Sequence, residues 1–389
     1  MLQAFFNGLS GLFAFSKGLD NVSNNVSNMN TPGFRGSDTF YRSVSGQDGQ
    51  GLGAGVTGTE VRTKPGDPRQ TGNLTDLAIS GAGYFVLRDG SDEVFYTRSG
   101  QFQINADGYL VDTVTQKRVA GLDASGALVD INIKDQRSLP PKATTRVEMM
   151  GSLARSGPTE ASHKISAVQV FDASGASHSL SVEFEPQATP ANSWLVKVSD
   201  STGAVLQSGT IAFGADGTPQ AGFNSLDFIL VGTQNVTLDF GTPGSFNLAS
   251  QVASGPSHTL GARVTDGSAI AGLSSLAFDD KGMVKLSYAN GEKRDGSQVA
   301  LADFPDESAL IAVESSLYRA PGSTRPNYGH PAGGVYGRIQ GGYLELSNVD
   351  LAQEFGDILI IQRGYQASSR VMTVSNELLE QLYNGTRGG

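Results

Sequence analysis

Asp303, Asp306 and Glu307 place three carboxylates within five positions, a spacing that could divide acid–base work between a proton donor and a proton acceptor. Nothing else in the sequence sets them in a cleft, so a solvated loop is expected. Gly51-Leu52-Gly53-Ala54-Gly55 has the glycine density of a phosphate-cradling loop. No clear strand precedes it, no helix opens after it, and the Lys-Ser/Thr ending is missing. Arg62, Lys64 and Arg69 form a small basic cluster, read as a wet loop edge, with contact to acidic neighbours in an assembly as the alternative. The chain has no Cys, which excludes disulfides, thiol nucleophiles and thiolate metal sites. Its four His (His163, His178, His258, His330) offer no i,i+4 pair, so a multi-histidine metal centre is not expected. Asn-X-Ser/Thr triplets begin at Asn21, Asn25, Asn73, Asn235 and Asn384, as chance supplies in a chain rich in these residues. No catalytic, cofactor-binding or metal-ligating residue is assigned. The expectation is a chain that is not an enzyme and needs no cofactor.

Composition narrows the class further. Gly is 50 of 389 residues, about 13% against a usual ~7%, which indicates a folded chain rich in turns. The net charge is −10, so nucleic-acid binding, which needs clustered Lys and Arg, is not expected. The first segment, MLQAFFNGLSGLFAFSKGLD, lacks a basic n-region, and Gly, Ser and Asn interrupt its apolar residues. No run of about 18 apolar residues occurs, so membrane insertion is not expected.

What must carry function, then, is the elements themselves. Phe5, Leu12, Leu19 and Val26 recur every seven residues, flanked by Leu2, Phe6, Leu9, Phe13, Val22 and Met29. At the other end Leu351, Ile358, Tyr365, Met372 and Leu379 recur in the same way, with Phe355, Ile361, Val371, Leu378 and Leu382 beside them. This is the pattern of helices that wrap other helices. Ser347 followed by Asp350 reads as the second helix's start. One reading folds the two helices on their own chain; the other docks them on neighbouring copies as well. Residues 1–30 carry only two charged side chains, Lys17 and Asp20, which favours contact on several sides. Gly8, Gly11 and Gly18 each weaken a helix by about 1 kcal/mol relative to Ala, and Gly356 and Gly364 act likewise. Both ends are therefore expected to be stable only when docked.

Thr31-Pro32-Gly33-Phe34 stops the first helix. Residues 31–75 follow as an extended linker, irregular around Gly46, Gly49, Gly51, Gly53, Gly55 and Gly58. From about 76 to 345 the chain reads as short strands between Asp-Gly, Ser-Gly and Asn-Gly turns, with Trp194 as anchor of a small core. Ile165, Ala167 and Gln169 are read as one strand face. Soft boundaries fall at Arg155-Ser156-Gly157-Pro158 and Ser254-Gly255-Pro256. The expected fold is multidomain α+β. Paired coiled-coil terminal helices (1–30 with 350–389) form an inner domain. A first, mainly antiparallel, sandwich- or barrel-like β-domain (76–147 with 272–349) has a second (148–271) inserted in it.

Asn24-Asn25-Val26-Ser27-Asn28-Met29-Asn30-Thr31-Pro32-Gly33-Phe34 resembles the N-terminal signature of the bacterial flagellar rod and hook protein family, carried by Asn24, Asn25, Asn28, Thr31, Pro32, Gly33 and Phe34. Asp76–Val86 with Tyr96-Thr97-Arg98-Ser99-Gly100 resembles the family's first β-domain. Leu344–Leu351 with Gln362-Arg363-Gly364-Tyr365-Gln366 resembles its C-terminal helix. Within the family, the block at about 150–270 is similar to the middle domain of hook subunits, and the shorter distal rod proteins are the alternative. Gly356, Gly364 and the tail Asn384–Gly389 depart from the family pattern. The resemblance implies a homopolymer: a curved tube that joins rod to filament and passes torque while bending. Its inner layer would pack through Leu2, Phe5, Leu9, Leu12, Leu19 and Val26 with Leu351, Phe355, Ile358, Tyr365, Met372 and Leu379. The implied partners are the distal rod protein, the hook cap protein, the hook–filament junction protein and the flagellar type III export apparatus. The implied location is extracellular, reached without a Sec signal peptide.

Overall fold

A computed structural model of the chain describes residues 2–45, 51–91, 93–123, 125–155, 162–252, 257–314, 316–322 and 324–387. Gly46, Gly49, Ser156-Gly157-Pro158, Ser254-Gly255-Pro256 and Gly388-Gly389 lie outside these, as does the side chain of Leu2. Two long helices, α1 (Leu2–Ser27) and α2 (Leu351–Arg387), bracket a chain of mainly antiparallel strands, so the fold is multidomain α+β. No helix among the described residues is long and apolar enough to cross a membrane.

The chain divides into two compact units: Met1–Asp135 with Ser275–Leu286 and Arg294–Gly389, and Gln136–Ser274 with Ser287–Lys293. In the first unit α1 packs along α2. Strands β1 (Ser37–Ser45) and β2 (Gly51–Val61) form an antiparallel hairpin against α1. This corrects the expectation of irregular chain. Phe40, Tyr41 and Val44 keep no period along β1 and glycines dilute the apolar residues of β2, but the backbones still complete a ladder, and the hairpin is pinned to α1 by side-chain hydrogen bonds. Ser10 Oγ accepts from Ala54 N at 3.2 Å, and Asn7 Nδ2 donates to Gly51 O at 3.3 Å. The glycine-rich run is therefore a strand, not a phosphate loop. Beyond the hairpin, Pro68–Gln70 pairs with Tyr343–Glu345, and Leu77–Ser80 with Arg338–Gly341. The chain leaving α1 and the chain entering α2 thus run antiparallel side by side as two short ladders, separate from the unit's main sheet. That sheet centres on Tyr84–Arg88, between Val94–Thr97 and Arg118–Leu122. Its core gathers Tyr84, Val86, Tyr96, Ala302, Phe304 and Tyr318.

The second unit is a sandwich over one core. One sheet is a meander, His163–Phe171, Ser177–Gln187, Ser193–Ser199 and Val205–Ala212. The other surrounds Arg146–Ala154, which pairs in parallel with Asn235–Asp239 and Ala249–Val252. Trp194 is fully buried in the shared core and donates its indole N–H to Gln251 Oε1 at 2.9 Å. The strand through Ile165 does not keep one face. A bulge between Ile165 and Val168, with Ala167 at φ +60°, turns Val168 and Val170 inward in place of Ala167 and Gln169.

One turn recurs: an Asp whose carboxylate accepts from the N–H and hydroxyl two residues on. Asp172 accepts from Ser174 N at 2.8 Å and Ser174 Oγ at 2.6 Å; Asp200 accepts from Thr202 N at 2.8 Å and Thr202 Oγ1 at 2.7 Å. These bonds hold both carboxyls below the usual aspartate range. A depressed folded-state value means the contribution is complete above about pH 4 and is lost as pH falls through the folded value. Thermal unfolding of the chain should therefore keep one midpoint from pH 7 to about 5 and fall steadily below about 4. A midpoint constant down to pH 2 would show that these turns carry no stability.

Candidate functional site

The contact between the helices is made by small residues. Along α1 the buried positions are Gly8, Gly11, Ala14, Gly18, Val22 and Asn25. A Cβ at Gly8 would come 3.0 Å from Ser368 O, and one at Gly11 would come 2.6 Å from Ser368 Oγ. A Cβ at Gly364 would enter the Phe15 ring. Gly8, Gly11 and Gly364, which weaken each helix alone, are the positions that let the two helices approach, whereas Gly18 lies against Tyr41 and Gly356 has open space beside it. On α2 the buried positions are Glu354, Ile361 and Ser375.

The seven-residue seams therefore flank this contact rather than fill it. Phe5, Leu9, Leu12, Val26, Leu351, Ile358, Met372 and Leu379 are half-buried, while Leu19, Phe355 and Tyr365 are exposed. Beside them stand Phe6, Phe13, Leu359, Ile360, Val371 and Val374, also exposed; Phe13 and Ile360 are each 67% open. So much large apolar surface on one helix pair marks a face that another surface covers. The second helix begins one cap later than the sequence indicates: Asp350 Oδ1 accepts from Ala352 N at 2.8 Å, whereas Ser347 Oγ accepts only from Val349 N at 3.3 Å. The helix also continues through Asn384 to Arg387, where a tail beyond the helix was expected.

The end of α1 is tied by its asparagines. Asn25 is fully buried; its Oδ1 accepts from Ser37 N at 3.0 Å and its Nδ2 donates to Ser37 O at 2.9 Å. Asn21 Nδ2 reaches the same carbonyl at 2.6 Å. Asn28 Nδ2 donates to Asn24 O at 3.0 Å, and Thr31 Oγ1 donates to Asn28 Oδ1 at 3.2 Å, closing the helix before Pro32. Gly33 at φ +68° lies against the backbone of Arg98 and Ser99, where no side chain fits, and its N–H donates to Glu345 O at 2.8 Å. Phe34 is half-buried just after it.

Three sequence segments far apart thus meet at one place, around a buried ionic cluster. Glu345 Oε2 lies 3.2 Å from Arg98 Nε, and Glu345 Oε1 lies 3.7 Å from Arg35 Nη2; all three side chains are at most 3% exposed. Arg98 also donates to Gly83 O at 2.6 Å and Gly81 O at 2.7 Å. Glu307 accepts from Tyr84 OH at 2.8 Å and faces Arg35 at 3.7 Å, which corrects the solvated-loop expectation for this residue. Asp306 instead caps a short turn through Ser308 N, and Asp303 sits in a strand, so the three carboxylates share no cleft. Burial pushes the Glu345 carboxyl up, opposed by Arg98 and Arg35, and pushes the Tyr84 hydroxyl up. A second buried pair fixes the start of α2. Glu354, fully buried, meets Arg62 Nη1 at 2.8 Å and Asn25 Nδ2 at 3.2 Å, and Arg62 also holds Asp38 at 2.7 Å. Arg62 is thus an internal tie, not part of a wet edge; Lys64 and Arg69 are exposed. Sequence reasoning missed Arg35, Arg62, Glu354 and the Arg98–Glu345 pairing. Their one signal is charge set inside otherwise uncharged motifs.

The arrangement is mechanical: ties lock two helices to a β-platform and leave an apolar face open. Among the described residues no group of three or more His, Asp or Glu side chains is placed to hold a metal ion.

Family models match along the chain in the same order. Residues 6–35 match a flagella basal body rod protein model, and residues 78–147 match the D1 domain of flagellar hook protein FlgE/F/G. Residues 154–293 match the D2 domain of flagellar basal body protein FlaE, and residues 340–384 the C-terminal part of flagellar basal body rod FlgEFG protein. The flagellar hook protein FlgE of Escherichia coli K12 is 29% identical, over 98% of this chain and 100% of that protein. FlgE of Salmonella typhimurium is 27% identical over 98% and 100%, and FlgE of Borreliella burgdorferi 26% identical over 98% and 99%. Two helices tied to a β-platform at a shared signature, a sandwich matching the D2 model and full-length similarity to hook subunits converge: the chain belongs to the flagellar hook protein family and is a structural subunit of the hook.

Proposed function

We propose that the helix pair is the polymerising core of this subunit. Copies stack helix pairs into the inner wall of a curved tube, which couples rod to filament and transmits torque while bending. The observation that carries this reading is the row of exposed apolar side chains on the pair, including Phe13, Phe355, Leu359 and Val374. In this reading residues 1–30 with 350–389 form the inner domain and 31–75 bridge outward. Residues 76–147 with 272–349, and the inserted 148–271, form outer layers. Leu2, Phe5, Leu9, Leu12, Leu19 and Val26 pack between copies, with Leu351, Phe355, Ile358, Tyr365, Met372 and Leu379. The outer layers slide on polar, wet contacts, which exchange at low cost and suit an acidic, Gly- and Ser-rich surface. The chain has no enzymatic role. Its partners are further copies of itself, the distal rod protein, the hook cap protein, the hook–filament junction protein and the flagellar type III export apparatus. Its place is outside the cell, in the flagellar hook.

Electron microscopy of the purified polymer tests this. Full chains should give curved tubes, and chains lacking residues 1–30 should stay soluble, β-rich and monomeric. Tubes from the truncated chain would remove the helices from the core. Short straight polymers from the full chain would favour a rod subunit.

A further inference from the structure

A cavity of about 370 Å³ opens where α1, the start of α2 and β1 meet. Phe15, Val22, Ile360 and Ile361 give it an apolar wall, and Asp38, Tyr41 and Asp357 a polar one. Its cation, Arg62, is already engaged by Glu354 at 2.8 Å and Asp38 at 2.7 Å. Asp38 and Glu354 thus both engage that guanidinium, and the cavity's other carboxylate, Asp357, makes no hydrogen bond or ion pair among the described residues. The Tyr41 hydroxyl beside it is pushed up by burial and by the Asp357 charge, so it stays neutral and supplies no compensation. A half-buried carboxylate without a cation is costly, and a cation entering here would meet both an apolar wall and a waiting charge.

The complementary group stands elsewhere on the same helix. Arg363 and Arg370, seven positions apart, share one face of α2, and both are exposed without an ion pair among the described residues. Arg363 is six positions from Asp357, about 240° around the helix, so the two cannot meet within one copy. An arginine combines an apolar stem with a planar cation, the shape this cavity accommodates.

We propose that the cavity is a socket for an arginine of the Arg363–Arg370 stripe from a second copy of this chain, paired there with Asp357. The proposal rests on the reading that copies polymerise through their helix pairs. It adds a specific charged tie that sets how neighbouring pairs register, beyond apolar burial alone.

Charge exchange tests it. Asp357→Arg is expected to raise the critical concentration for polymerisation about tenfold, and R363D with R370D to do the same. The chain carrying all three substitutions is expected to return to near the wild-type value, because the pair re-forms with its signs exchanged. Failure of that rescue, or wild-type assembly by either reversed chain, overturns the socket. Phe13→Asp, run in parallel, separates the two ideas. If it abolishes polymer while the reversed chains assemble normally, the helix core stands and the socket alone falls. If the Phe13→Asp chain also assembles, the core reading has failed.

Discussion

Replacing Glu345 with alanine is expected to cost about 3–5 kcal/mol of folding stability, seen as a lower urea midpoint for the unit that carries the helices. The magnitude follows from what is left behind. Arg35 and Arg98 are both about 2% exposed, and Glu345 is the carboxylate that faces both of them. Without it two guanidiniums remain in a low-dielectric site, with Arg35 left to Glu307 at 3.7 Å. Gly66 N, 3.1 Å from Glu345 Oε1, also loses its acceptor. Glu345→Gln keeps that acceptor and loses the charge, so it should fall between the two. An unchanged midpoint for Glu345→Ala would show that the cluster does not hold the platform together.

The second large effect concerns assembly without folding. Phe13 is 67% exposed and Phe355 57% exposed in a single copy, so Phe13→Asp and Phe355→Asp remove almost no packing from the monomer. Their effect on its stability should stay within about ±0.5 kcal/mol. In the polymer each would bury an unpaired carboxylate in an apolar contact, and no tubes should form at concentrations where the parent chain assembles fully. Sedimentation followed by microscopy reads both arms. Loss of monomer stability would mean that these rings already have partners within one chain.

How far the sequence reveals this can be judged residue by residue. The seven-residue repeats identify both helices because long apolar side chains are hard to place otherwise. They do not identify the contact between the helices. That contact uses Gly8, Gly11 and Gly364, whose lack of a side chain reads in isolation only as a helix weakness. The β1–β2 hairpin is not legible because Phe40, Tyr41 and Val44 keep no period along β1, and glycines fill the positions around Leu52, Ala54 and Val56 on β2. Its hydrogen bonds to α1 come from Asn7 and Ser10, residues that read as surface. The bulge after Ile165 defeats a period-two reading because one extra residue exchanges the two faces. Arg98 and Glu345 stand within motifs quoted from sequence, yet 247 positions separate them, and nothing local announces their pairing.

On the proposed function, the terminal helices gain much of their stability from neighbouring copies. The weak helix-forming glycines, the small-residue contact and the open apolar face all point that way. Amide hydrogen exchange along α1 and α2, compared between dilute monomer and assembled tube, addresses it most directly. Exchange in the monomer should be rapid over both helices while the β-units remain protected, and assembly should slow the helices at least about a hundredfold. Helices as slow to exchange in the lone monomer as in the tube would contradict the account.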